Sequence, residues 1–324
     1  RNGLYTPYQQ KKKRMVKKLS LTFFLLTVVS AGIFSQGVSD SVSPGISDSI
    51  ALGMPDSVAL GVSDSVLLKL SPVNQATLFG AGKVFFSDTY LSPLKYDGLT
   101  FSLLHERLNG SSLFNEKLLL QQQFQIQLAS ADNPAKTGSS YYGNLYYAIH
   151  GFYPLVENNR LRWYGGAGWN AELGGIYNER NSNNPGSMKA STNLNLATMA
   201  LFDWRMFTFR WQLSTPIMGV FFSPKFGQSY YEIFTLGDDD GTVIFGSLHN
   251  QRAVRNYFTV DFHVGNLTIR TGYLGNYYHT DVNHIVTKIL SHQFMIGLAV
   301  ESLNVGGKRL KQNRWLHSVY YNEP

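Results

Sequence analysis

Asp261, His263 and Arg270 stand at alternate positions of two neighbouring runs, Asn256 to Val264 and Leu267 to Tyr273. Arg162, Glu172, Arg210 and Glu301 hold equivalent positions in other runs: each lies on the face opposite a row of apolar side chains. Two kinds of chemistry are open to such a set. Lining an aqueous lumen, the charges would decide which solutes pass. Inside a closed space they would pair with one another, because charge behind a low-dielectric wall is costly unless paired.

Other reactive groupings are weaker. His105-Glu106-Arg107-Leu108-Asn109-Gly110-Ser111 has a slight likeness to the His/Ser region of outer-membrane phospholipases. Those enzymes need a serine two residues after the histidine, and Arg107 occupies that place, so nucleophile and base do not meet. Asp238, Asp239 and Asp240 read as a solvated acidic turn before they read as a divalent-cation site. His279 and His284 bring no third ligand. The chain has no cysteine, which removes thiol nucleophiles and thiolate metal sites. No catalytic residue, metal ligand or cofactor is assigned.

The elements that must position these groups are strands. Phe258, Val260, Phe262 and Val264 share one face, and Tyr257, Thr259, Asp261 and His263 the other. Such period-2 alternation marks a strand between two unlike environments. Gly265-Asn266 then reads as a two-residue hairpin turn. Similar runs recur at 78–86, 99–107, 118–128, 143–152, 161–173, 194–202, 205–213, 229–235, 242–248 and 294–300. Abundant Gly, Tyr and Phe with few helix formers suit strands and turns.

The connections predict an orientation. Asn109-Gly110, 157–159, 203–204, 237–241 and Gly265-Asn266 are short; 87–97, 131–140, 178–190, 222–228, 249–255 and 280–291 are longer. Short periplasmic turns and longer extracellular loops are the layout of an outer-membrane barrel, and Tyr and Trp doublets near strand ends suit its interfaces. The expected fold is therefore all-β: an antiparallel transmembrane β-barrel of about 12 strands. A 14-strand alternative adds Ser65–Leu70 and Arg314–Tyr321. Twelve strands favour a filled or narrowly open interior.

Before the barrel the chain has three further parts. Residues 1–14 read as an upstream extension. Residues 15–36 read as a signal peptide: Lys17 and Lys18, an apolar core Leu19–Val29, then small residues. Residues 37–72 carry four copies of an octapeptide beginning at Gly37, Gly45, Gly53 and Gly61, read as a linker. The barrel domain takes 73–324. Seven of the 28 basic residues precede residue 36, and the remaining 21 face 21 acidic ones. The basic pI thus belongs to the leader and does not point to nucleic acid.

Asp88-Thr89-Tyr90-Leu91-Ser92-Pro93, followed by Tyr96 and Gly98, resembles the signature of an uncharacterised family of secreted outer-membrane proteins from Gram-negative gut anaerobes, a domain of unknown function. The stretch from Phe221 to Phe234, FFSPKFGQSYYEIF, is the second point of likeness, and the resemblance runs from about Leu78 to the C-terminus. It implies a β-barrel in the outer membrane, and no reaction. The expected function is a non-enzymatic barrel, either a narrow channel or a structural or surface-binding protein. The alternatives are a lipase-like membrane hydrolase and a secreted β-sandwich that binds a glycan. The expected partners are outer-membrane lipid and the barrel-assembly machinery during insertion.

Overall fold

The structure, a computed structural model, describes residues 71–311 except 112–117, 159, 183, 265–266 and 306–307. The extension, leader, octapeptide copies, hairpin turn Gly265-Asn266 and tail run Arg314–Tyr321 lie outside the described residues. The chain divides into two units, Leu68–Ile233 with Asp239–Pro324, and Arg1–Leu67 with Phe234–Asp238. The barrel belongs to the first.

Its strands are β1 (Ser71–Asp88), β2 (Ser92–Ser111), β3 (Leu118–Asp132), β4 (Ser139–Glu157), β5 (Leu161–Asn178), β6 (Gly186–Trp204) and β7 (Phe207–Phe222). Then come β8 (Val243–Ser247), β9 (Gln251–Val264), β10 (Leu267–Val282), β11 (Ile285–Val305) and β12 (Lys308–Lys311). Every pairing is antiparallel. β1 to β7 run in order, β9 follows β7, and β11 closes on β1 from Ser71↔Asn304 to Asp88↔Thr287. The closed ring has ten strands. β8 pairs only the last part of β7, Met218–Phe222, and β12 only the end of β11.

The ring is thus smaller than the 12 strands expected from alternation, and the difference lies in 223–250. The expected strand 229–235 is helical there, with a π-turn at Glu232–Leu236. Ser229-Tyr-Tyr-Glu232 explains why. Glu232 Oε2 accepts from Ser229 N at 2.7 Å, and Glu232 N donates to Ser229 Oγ at 3.2 Å. That reciprocal pair is a capping box, which starts a helical turn. The expected turn 237–241 therefore joins no two ring strands.

The loop lengths need correction too. We call the end where β1 begins the lower end and the end where it finishes the upper end. Asn109-Gly110 is no turn but part of β2, paired with Leu120 and Leu119. The expected long loops 87–97 and 280–291 are mostly strand. The first reduces to Thr89–Leu91. The second reduces to Asn283-His284, both with positive φ (51° and 60°), the conformation of a tight primed hairpin turn. The upper end owes its longer connections mainly to 223–250.

The two faces of the sheet are reversed relative to a soluble protein. Ile296, Phe79, Leu103, Ile126, Leu145 and Leu173 are register neighbours on six adjoining strands, and all point outward. Phe79 is 67 % exposed, whereas inward-facing Glu106 and Gln123 are each 1 % exposed. Exposed Tyr153, Trp163 and Trp204 flank this apolar band at the lower end, and Tyr141, Tyr177 and Tyr277 at the upper. Alternation splits the aromatic doublets: Tyr141 and Trp163 face out, while Tyr142 and Tyr164 are buried inside.

Strand closure depends on a close backbone approach. A Cβ built on Gly297 of β11 would lie 2.0 Å from Thr77 O and 2.6 Å from Leu78 Cα across the β1–β11 seam. Only glycine tolerates that approach. Gly297→Ala should force the seam apart and lower stability by about 1–3 kcal/mol. Urea unfolding followed by the heat-modifiable gel shift reads the loss. Gly110→Ala, with nothing within 4 Å of the added carbon, should leave the midpoint unmoved.

Candidate functional site

The inward polar faces converge in a charged network toward the lower end. Arg270 on β10 and Asp261 on β9 are direct register partners. Arg270 Nε donates to Asp261 Oδ1 at 2.6 Å and Nη2 to Oδ2 at 2.5 Å, a bidentate fork. Arg270 Nη1 also donates to Glu106 Oε1, and Nη2 to Asn74 Oδ1 at 3.0 Å. Glu106 Oε1 further accepts from Arg210 Nη2 at 2.5 Å and from the Tyr257 hydroxyl at 3.2 Å. The Arg210 guanidinium lies 5.1 Å over the Tyr257 ring. Among the described residues two carboxylates meet two guanidiniums in this group.

The network also bolts the barrel across its width. β2, which carries Glu106, and β7, which carries Arg210, stand on opposite sides of the ring order. Gln121 of β3 and Gln212 of β7 exchange two amide hydrogen bonds of 2.8 Å beside them. Apolar clusters pack beside the network. Leu108, Phe152, Tyr164, Met199 and Leu201 form one buried cluster. Leu78, Leu104, Leu274 and Met295 form another. Arg270 is 0 % exposed and Arg210 1 %. A water-filled lumen at this height would leave those charged groups accessible.

At the upper end the fold brings the two signature stretches together. Asp88 Oδ1 accepts from Tyr90 N at 3.0 Å. Its Oδ2 accepts from Ser187 Oγ and Lys189 Nζ, each at 2.7 Å. Thr89 and Val286 exchange hydrogen bonds of 3.1 and 2.9 Å, which ties this turn to the start of β11. Tyr90 donates its hydroxyl to Gln228 O at 2.8 Å and packs edge-on against Tyr230 at 5.7 Å. Burial, reinforced by Tyr230 and Asp88, pushes the Tyr90 hydroxyl up to about 12, so it remains a donor at any physiological pH. Leu91 O accepts from Asn181 Nδ2 at 3.1 Å. Leu91 itself is buried with Val84, Phe86, Tyr96 and Ile285. Ser92 Oγ accepts from Leu94 N at 3.2 Å, and Pro93 is the second residue of β2. Several of these contacts cross between distant parts of the ring, and no nucleophile–base pair forms among them.

The residues singled out in the sequence are scattered. Asp261, Arg270 and Arg210 meet in the network. Arg162 lies lower, paired with Asp203. His263 is exposed at the lower rim, where its Nδ1 shares a 2.9 Å hydrogen bond with Thr268 Oγ1. Glu172 accepts from Asn144 and Asn170 in the upper half and borders a cavity of about 80 Å³. Glu301 is opposite Asn74 across the seam, and its side chain is outside the described residues. The hub itself, Glu106, is not among those residues, although its position in the alternation puts it on one face with Thr100 and Ser102. Its neighbour His105 points outward and shares a 2.9 Å hydrogen bond with Thr77 Oγ1. Among the described residues no three His, Asp or Glu converge as a metal site.

Comparison with solved structures returns barrels of the outer membrane. The outer membrane protease OmpT from Escherichia coli is 8 % identical over 74 % of this chain and 99 % of its own, with a TM-score of 0.39. The transport unit of the autotransporter AIDA-I from Escherichia coli is 9 % identical over 76 % and 94 %, with a TM-score of 0.40. The β domain of the Bordetella autotransporter BrkA is 10 % identical over 70 % and 98 %, with a TM-score of 0.38. At these values no functional argument rests on any of them. A search of curated proteins finds no significant match. The sequence model of one family does match, over residues 57–309, which takes in every strand of the ring and both signature stretches: the chain belongs to the family described as Protein of unknown function (DUF3316).

Proposed function

We propose that this protein is an outer-membrane β-barrel with a closed interior, serving a structural or surface-binding role and neither conducting solutes nor hydrolysing lipid. The observation that carries this reading is the burial of Glu106, Arg210, Asp261 and Arg270, inward-facing charges that water does not reach. The apolar outer band, flanked by Tyr and Trp, is the surface that outer-membrane lipid would cover. In this reading the lower end faces the periplasm, and the 223–250 connection and the signature turn face the outside. Insertion would proceed through the barrel-assembly machinery.

Planar-bilayer recording tests the closed interior. The folded wild-type barrel should insert without conductance steps; reproducible single-channel steps would show an open lumen. The lipase alternative has a separate readout. His105 has Thr77 beside it and Arg107 two residues on, so phospholipid vesicles should remain intact in its presence. Fatty-acid release that disappears with His105→Ala would reverse that part of the reading.

A further inference from the structure

Arg255 on β9 is held firmly on one side and open on the other. Its Nη1 donates to Gln125 Oε1 at 2.8 Å and to Asn276 Oδ1 at 3.1 Å. The guanidinium stacks 4.3 Å over the ring of buried Tyr146. Its Nε and Nη2 are buried, and no group among the described residues meets them. These two atoms form one edge of the guanidinium. On Arg270 the same edge is filled by the two oxygens of Asp261, at 2.6 and 2.5 Å. The barrel itself therefore shows what such a fork takes: a planar oxyanion, bound through two parallel hydrogen bonds.

Three more polar atoms border the same space. Gln125 Nε2, Gln251 Nε2 and Asn193 Oδ1 are buried without a partner among the described residues, on side chains only 2–3 % exposed. Burying so many polar groups unpartnered is costly, which argues for a bound polar group. The cavity between them, about 80 Å³, has room for roughly three waters or one carboxylate- or phosphate-sized group. Its charged lining is Arg255, Lys189 and Glu172. Lys189 is engaged by Asp88, and Glu172 accepts from Asn144 and Asn170.

We propose that this upper cavity is a binding site for a small oxyanion, a carboxylate or a phosphate group, held by the Nε/Nη2 fork of Arg255. The stacked Tyr146 and the contacts with Gln125 and Asn276 pre-orient the fork, so little freedom is lost on binding. Glu172, on the same cavity, repels the anion and keeps the affinity modest. The site does not require the barrel to be closed or open, and conductance recordings address that point independently.

The test uses the full barrel, folded into detergent in the presence of the probe so that passage through the ends is not needed. Binding of ¹³C-acetate is read by saturation-transfer NMR at constant ionic strength, with inorganic phosphate as competitor. Saturable acetate binding is expected, and the relative strength of phosphate competition separates a carboxylate site from a phosphate site. Arg255→Lys keeps the charge but has no fork, and it should weaken binding about tenfold or more. Glu172→Gln should bind at least as tightly as wild type. Folding of each variant is checked by the heat-modifiable gel shift. Failure of both probes to bind folded wild type, or unchanged binding by folded Arg255→Lys, would overturn the proposal. So would binding that appears only in Glu172→Gln, since the fork would then belong to Glu172.

Discussion

Glu106→Leu is expected to destabilise the barrel by about 3–5 kcal/mol, because it takes away the carboxylate that Arg210 and Arg270 share deep inside. Among the described residues Glu106 is the carboxylate that both guanidiniums share, and its loss removes an ion-pair partner from each of them. The second half of the prediction separates ion pairing from mere loss of packing. Adding Arg210→Met removes one of those guanidiniums and replaces the Glu106–Arg210 pair with apolar groups of similar bulk, while the Arg270–Asp261 fork stays intact. Replacing a whole buried pair in this way is often neutral. The double variant should therefore recover most of the loss. Urea unfolding of the folded barrel in lipid measures both. Simple addition of two separate losses would mean that the two residues do not act as a unit.

Phe79→Arg is expected to cost about 2–4 kcal/mol of folding free energy into lipid vesicles, the penalty for a cation near the middle of a barrel's apolar face. Phe79 lies midway along β1, between Leu103 and Ile296, and projects fully outward. The same substitution at Phe85, six residues nearer the upper end, should cost no more than about 1 kcal/mol, since a guanidinium there reaches the interface. Lys83 already stands exposed on that stretch of the outer face. Equal losses at the two positions would contradict a membrane band centred on Phe79, and a loss at neither would leave the outer face without a lipid environment.

Strand identity and strand face were legible because they are local. A residue's side of the sheet follows from counting by two, so Tyr257, Thr259 and Asp261 could be set inside and Phe258 and Val260 outside without any knowledge of neighbours. The number of ring strands was not legible. Residues 229–235 alternate well enough for a strand, yet the Ser229–Glu232 capping box turns them into a helical segment. The signal is present in the sequence as Ser229-x-x-Glu232. Residues 87–97 and 280–291 were not legible as strand because apolar residues do not alternate regularly along them. In this barrel the strands continue through them past the apolar band, up to a two- or three-residue turn.

Partners across the interior lay beyond the sequence altogether. Asp261 and Arg270 are nine positions apart and share a hairpin, so their pairing could be foreseen from the turn. Glu106 and Arg210 come from opposite walls, and which inward residue reaches which depends on ring size, strand stagger and side-chain length together. The two signature stretches show the same division. Asp88–Pro93 alone is a polar turn, and only the closed ring sets Tyr90 against Gln228 and Tyr230. What the sequence determined by itself was an alternating all-β chain with charges on its inner face, because side-chain direction in a strand is a property of consecutive residues. What the tertiary structure alone decided was that a charged network crosses the interior from β2 to β7, with the Arg270 fork filled by Asp261 and the Arg255 fork unpartnered among the described residues, because those contacts join residues related only through closure of the barrel.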